Sequence, residues 1–399
     1  MATTSSRPLY RDRNLHVIFA ITLMAVLGVA SISPAFPAMT RHFRVTPQQI
    51  GLLITVFTLP GVLLTPVLGV LADRFGRKRI LVPSLLLFGI AGGICALVRQ
   101  FHWLLMARVA QGMGAAALGS LNVTLIGDLF PPKQRSTAMG YNGSVLSVGT
   151  AAYPAIGGAL AMFGYYYPFL LALAAVPIGI WAMVALPEPT VGRRAALGTY
   201  LRQVRRGVLR REVLGLFFTS TAAFVCLYGS YLAFLPFLLE RRFLAAANVI
   251  GLVFSASSVA TALTSWQLGR LTRLTSERAL IVVGLLLQSV ALTAFTFADS
   301  TTQILVMMPL YGAGTGIALP AVTSLLASLA PVENRAAFMS LNGTVLRLGQ
   351  TLGPISMGAV YGVWGLEAAF YAGSVVLVVA ALVVAWLVRP PRRPADAHR

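Results

Sequence analysis

Five charges packed between two long apolar runs limit this chain more than any other feature. They lie in Gly69 to Arg79, GVLADRFGRKR, and a worn copy, GRLTRLTSERA, follows 200 residues later at Gly269 to Ala279. A charged turn between two spans, echoed once at half the chain length, marks a duplicated membrane bundle. Apolar runs of about 20 residues, each enough to cross roughly 30 Å of hydrocarbon, recur along nearly the whole sequence. Only 11% of the 399 residues are charged and 57% are hydrophobic, where a soluble domain carries about 25% charged residues. A membrane barrel would show short alternating strands instead. The expected class is an all-α membrane protein.

The net charge of +20 invites a nucleic-acid reading, but the placement of the charges opposes it. With the N-terminus taken as cytoplasmic, 24 of the 31 Lys and Arg fall on the inner side. Five (Arg41, Arg44, Arg99, Arg241, Arg242) fall outside, and two, Arg108 and Arg347, lie within spans. Such asymmetry orients helices during insertion. The basic excess therefore reports topology, with contact to anionic lipid secondary, and no nucleic-acid partner is expected. Arg7, Arg11 and Arg13 precede an apolar run from Leu15 to about Ala38. That run is too long for a signal-peptide core and is expected to be a retained first span. Cys95 and Cys226 fall inside apolar runs and read as buried small hydrophobes, not as a disulfide or metal pair.

Twelve spans are predicted, at approximately 14–38, 48–71, 80–98, 103–128, 137–163, 166–186, 213–239, 249–268, 279–298, 303–329, 336–362 and 366–388. Both termini then share one side. The expected organisation is a tail 1–13, a six-helix half 14–186, a basic linker 187–212, a second six-helix half 213–388 and a tail 389–399. From Pro187 to Arg211 the linker holds seven Arg against one acid, Glu188, and part of it is compatible with an interfacial amphipathic helix. The halves align at an offset of 200 without gaps. RSTAMGYNGSVLSVGTAAYPAIGGA from Arg135 faces RAAFMSLNGTVLRLGQTLGPISMGA from Arg335, sharing arginine, methionine, Asn-Gly, Val-Leu, glycine, proline and the final Gly-Ala. Gly112 and Gly114 likewise face Gly312 and Gly314. The two halves are thus pseudo-symmetric.

Two parallel six-span halves about an axis along the membrane normal form the architecture of the major facilitator superfamily. The chain resembles that superfamily over essentially its whole length. GVLADRFGRKR looks like its signature loop between spans two and three. LLMARVAQGMGAA, Leu104 to Ala116, looks like its fourth-span arginine motif. GTAAYPAIGG, Gly149 to Gly158, is similar to the fifth-span motif of exporters, although Tyr153 stands where a glycine is usual. Within the superfamily the chain most resembles bacterial twelve-span drug:proton antiporters. The resemblance implies an inner-membrane exporter of small molecules, exchanging them for protons by alternating access and working as a monomer. It implies no cofactor, no metal and no catalytic residue.

For the signature loop, the resemblance implies that Gly69, Asp73, Arg74, Gly76 and Arg77 form a gate. Gly69 lacks a side chain, so the second span is expected to approach a neighbour closely. Asp73 sits where a carboxylate can cap a helix N-terminus; in the superfamily its match caps the eleventh span. Arg77 would pair with a carboxylate at the inner end of the fourth span, a place held by Asp128. Losing Arg77 would favour protonation of Asp128, which makes Asp128 a candidate for proton coupling; a static salt bridge is the plainer alternative. Arg273 replaces the aspartate in the copied loop, which leaves that copy mainly topogenic. Arg108, with Gln111 on its face, is expected to face the central cavity and to take part in coupling by acting on a neighbour, since arginine does not usefully release its own proton. Snorkelling to the interface is its alternative. Arg347, nearer mid-membrane, repeats the spacing with Gln350 and is expected to draw an anionic group or hold a helix interface.

Candidate cavity residues are Phe224, Tyr228 and Tyr231 at helical spacing, Met307 and Tyr311 of the tenth span, and Asn122. Plain helix packing is the competing reading for all of them. Asn142 and Asn342, as repeat partners, point toward structure. Gly149, Pro154, Gly157 and Gly158, with Gly353 and Pro354, mark two helices that can bend or pack closely. All eleven acids map to loops, tails or span ends. The missing intramembrane carboxylate argues against strictly cationic substrates and favours neutral, lipophilic or zwitterionic ones. No His pair, acid pair or phosphate loop suggests an enzyme. Export of a particular sugar, metabolite or lipid precursor is the alternative function.

Overall fold

A computed structural model describes residues 9–187, 210–330 and 335–388. Residues 188–209 of the basic linker, Glu188 among them, Arg7 and the tail from residue 389 lie outside the described residues, and the last two residues assigned to the linker, Arg211 and Glu212, already belong to the seventh helix. Among those described there are helices and turns but no strand. Eleven helices are long and apolar enough to cross a membrane: α1 Arg13–Phe43, α2 Pro47–Phe75, α3 Arg77–Leu97, α4 Phe101–Leu129, α5 Lys133–Ala161, α6 Tyr167–Ala185, α7 Arg211–Phe243, α8 Ala247–Trp266, α9 Glu277–Phe295, α10 Thr301–Leu329 and α12 Leu366–Leu387. Between the last two runs α11, Arg335–Trp364, of 30 residues. It is long enough to span but carries Asn342, Arg347 and Gln350. The twelve-span, all-helical architecture is thus observed.

Local chemistry sets the helix ends. The Asp12 carboxylate accepts from the backbone N–H groups of Asn14 and Leu15 and starts α1. Thr46 and Gln49 form a reciprocal capping box at α2, with Pro47 in the first turn. Ser276 and Ser300 cap α9 and α10. Gly76 alone separates α2 from α3, at φ 108° and ψ 141°, a conformation open essentially to glycine only.

Two compact units emerge, Met1–Arg193 with Leu244–Ser255, and Arg194–Phe243 with Ala256–Arg399. The first half of α8 joins the first unit because α5 offers it a surface of small residues. A Cβ on Gly158 would strike the Ala247 carbonyl, and one on Gly251 the Pro154 carbonyl.

Inside each unit the packing repeats at the offset read from the sequence. Gly112 lies against the Phe57 carbonyl and Gly312 against that of Ser257. Gly114 packs on the Ser84–Phe88 backbone, and Gly314 on Gly284 and Gln288. Thr65 donates to the Ala116 carbonyl at 2.9 Å, and Ser265 to that of Gly316 at 2.9 Å. Even the left-handed residues correspond, Arg44 at φ 53° and Leu244 at φ 52°. Apolar burial drives helices together weakly in lipid, so close backbone approach and interhelical hydrogen bonds carry the association.

Candidate functional site

The signature loop closes on itself through charge. Arg77, first residue of α3, is only 5% exposed. Its Nε donates to Asp128 Oδ2 at 3.0 Å, and its Nη1 pairs with Asp73, one helical turn back on α2. Asp128 sits in the last turn of α4. One guanidinium thus ties the ends of three helices with charge-assisted bonds. Beside it, Lys78 donates to the Leu186 carbonyl at the end of α6, at 3.0 Å. Arg74 stands over the Phe75 ring at 5.6 Å. Gly69 plays a different part from the one expected. Nothing lies within 4 Å of where its Cβ would stand, so the loop's structural glycine is Gly76. The residues just ahead of Arg335, where Asp73 would cap α11, lie outside the described residues.

Arg108 is sealed, with no exposed surface. Its Nε donates to the Leu53 carbonyl at 3.1 Å and its Nη1 to Gln111 Oε1 at 2.7 Å. Its guanidinium carbon lies 4.1 Å from the Phe57 ring centroid, and Nη2 has no hydrogen-bond partner among the described residues. It neither snorkels nor borders an open cavity, because Phe57 covers it and Gln111 is itself buried. Asn122 is likewise interior. Its Nδ2 donates to Thr22 Oγ1 at 2.8 Å, and Thr22 bonds Asn142 Oδ1 at 2.5 Å. The second unit holds the shorter version, Ser220 Oγ to Asn342 Oδ1 at 3.1 Å.

The aromatic stripe of α7 divides in two. Residues Leu227–Phe234 form π-helical turns, whose wider i→i+5 step rotates Tyr231 away from Tyr228. Phe224 and Tyr228 stack at 5.8 Å and 15°. Tyr231 instead stacks on Tyr311 at 4.4 Å, and both are buried. For this pair the packing reading holds. Phe224 opens onto a recess of about 510 Å³ between α7, α10 and α11, whose walls include Leu319, Pro320, Thr323 and Leu346. Arg347 lies on α11 between Leu346 of the lining and Gly349, where a Cβ would strike Phe224. Met307 and Gln350 are half-buried and outside the recess lining.

The helix pair flagged for bending runs unbroken through Pro154 and Pro354. Gly157 meets the Ser31 carbonyl, Gly149 packs on Leu23 and Gly353 on the Val225 carbonyl. Sequence reading missed Thr22, Ser220, Phe57 and the recess wall of α10. The hydroxyl partners had a usable signal, since Thr22 and Ser220 each sit on the first helix of a half.

A duplicated twelve-helix membrane bundle with a latched loop between its second and third helices defines a membrane transporter. The Major Facilitator Superfamily profile matches residues 18–244 and 239–399, and the chain belongs to that family. It is 26% identical over 356 residues to the bacillibactin exporter of Bacillus subtilis, covering 86% of this chain and 88% of that protein. It is 26% identical over 381 residues to multidrug resistance protein 1 of the same organism, covering 94% and 97%. Among solved structures it resembles a bacterial homologue of the human lysosomal transporter Spinster in an inward-facing, unoccupied conformation. There the TM-score is 0.81 at 19% identity, covering 94% of this chain and 96% of that one, a likeness of fold alone.

Proposed function

We propose that the chain exports lipophilic small molecules across the bacterial inner membrane in exchange for protons. It works by alternating access, as a monomer with both termini cytoplasmic, and its halves are 14–186 and 213–388, joined by the linker 187–212. The observation that carries export is the alignment, over about nine-tenths of both chains, with relatives described as exporting or resisting dissimilar compounds. The geometry of Arg77 supports a gate. A guanidinium held between Asp73 and Asp128 is a latch that one proton can weaken. Protonating Asp128 removes half of its counter-charge, and α3 is freed to move against α4. Arg108 acts by fixing Gln111 and the α2 backbone beside it, as a positioning residue rather than a proton donor. Coupling is read as drug-driven proton movement in membrane vesicles, where Asp128→Asn is expected to lose most of the signal. Full coupling in that variant overturns the assignment.

Export of one natural product is the second reading, favoured by the bacillibactin exporter among the relatives. Expression in an efflux-deficient host separates the two. Resistance to several unrelated drugs supports the first, and altered release of a single metabolite supports the second.

A further inference from the structure

We propose that the recess of the second unit binds the apolar body of an organic anion and that Arg347 recognises its charged end. This deepens the exporter reading and names a substrate class for it. The recess, at about 510 Å³, is of ordinary ligand size. Phe224, Leu319, Pro320 and Leu346 give it apolar walls, with the Thr323 hydroxyl as a polar point. Arg347 lies beside this wall on α11, between Leu346 of the lining and Gly349, where a Cβ would strike Phe224, and Phe224 itself stacks on Tyr228. Depth agrees. Phe224 lies 13 residues along α7 from Arg211, roughly 20 Å, and Arg347 lies 12 residues along α11 from Arg335, roughly 18 Å.

The two intramembrane arginines differ in a way that selects Arg347. Arg108 is closed off by Leu53, Gln111 and Phe57. Arg347 is half-buried and, among the described residues, makes no ion pair and donates no side-chain hydrogen bond. An arginine at this depth is costly unless a partner or water meets it. A carboxylate arriving as part of a ligand supplies that partner bidentately. The described acids of the unit, Glu212, Glu240, Glu277, Asp299 and Glu367, lie at helix ends. Glu277 touches the lining, accepting from Ser324. It sits in the first turn of α9, where the helix dipole already offsets its charge. A lipophilic cation entering as far as Phe224 therefore approaches the like charge of Arg347, against a Glu277 charge that its helix dipole partly offsets.

Three probes with one apolar body test this: 1-pyrenebutyrate, its methyl ester, and the pyrenebutyl-trimethylammonium cation. Probe anisotropy is titrated with purified full-length protein. The anion is expected to bind about tenfold tighter than the cation. Arg347→Gln is expected to weaken the anion about tenfold and the ester less than about twofold, while Arg347→Lys keeps most anion affinity. Phe224→Ala is expected to weaken all three alike. A cation that binds as tightly as the anion to the unmodified protein overturns the proposal, even if Arg347→Gln fails to fold. So does a folded Arg347→Gln that affects anion and ester equally. Proteoliposomes separate this from the exporter reading. Arg347-dependent binding of pyrenebutyrate without transport under a pH gradient removes export and keeps the recess. Drug export with binding blind to charge does the reverse.

Discussion

The loop Gly69–Arg79 and its copy Gly269–Ala279 occupy equivalent places in the two units, yet the charge is reversed at two of their positions. Asp73 faces Arg273, Arg77 faces Glu277, Gly76 faces Ser276 and Asp128 faces Ser328. One feature is shared. Lys78 donates to the Leu186 carbonyl, and Arg278 donates to that of Ala385, so each loop anchors the end of its unit's last helix. The latch is not shared. Arg77 is buried between two carboxylates on two helices, whereas Glu277 is half-buried and takes a hydroxyl from Ser324. The turn differs too. Gly76 makes a one-residue break, while the copy passes through a short helix Leu268–Leu274 to the Ser276 cap. A common backbone frame can thus carry a charge lock in one unit and plain anchorage in the other.

Substitutions can break this contrast. The largest effect is expected for Arg77→Ala, which removes the guanidinium that Asp73 and Asp128 share. Removing one partner of a buried ionic group costs about 3 kcal/mol, read as a lowered Tm of the purified protein. Gly76→Ala comes next, at about 2 kcal/mol, because a side chain is strained at that φ. Restoration of Tm by returning glycine but not by alanine elsewhere in the loop would tie the loss to backbone strain. Glu277→Ala should be smallest, under about 1 kcal/mol, as expected for a half-solvated polar contact. If it matches Arg77→Ala in Tm, the two loops share a task and the contrast fails.

Legibility in the sequence followed the range of each interaction. The loop's importance, the repeat and the Arg-x-x-Gln pairing on α4 were visible because they depend on neighbours in the chain. The α7 stripe misled because helical spacing assumes i→i+4 bonding, and Leu227–Phe234 winds more widely. Gly69 misled because a glycine on a helix face announces close packing without naming a neighbour.

What the sequence determined by itself was the class of fold, the number of spans and the duplication. Hydrocarbon admits only helices or closed barrels, which satisfy their own backbone, and runs of about 20 apolar residues select helices, so apolar length and charged turns suffice for those. Tertiary structure decided which groups meet. It set Asp128 against Arg77, closed Phe57 over Arg108, and left Arg347 without an ion pair among the described residues, on a helix that helps wall the recess. Those outcomes depend on how each helix is rotated and how closely small residues let it approach. A one-dimensional pattern fixes a helix's face, and only packing fixes what that face meets.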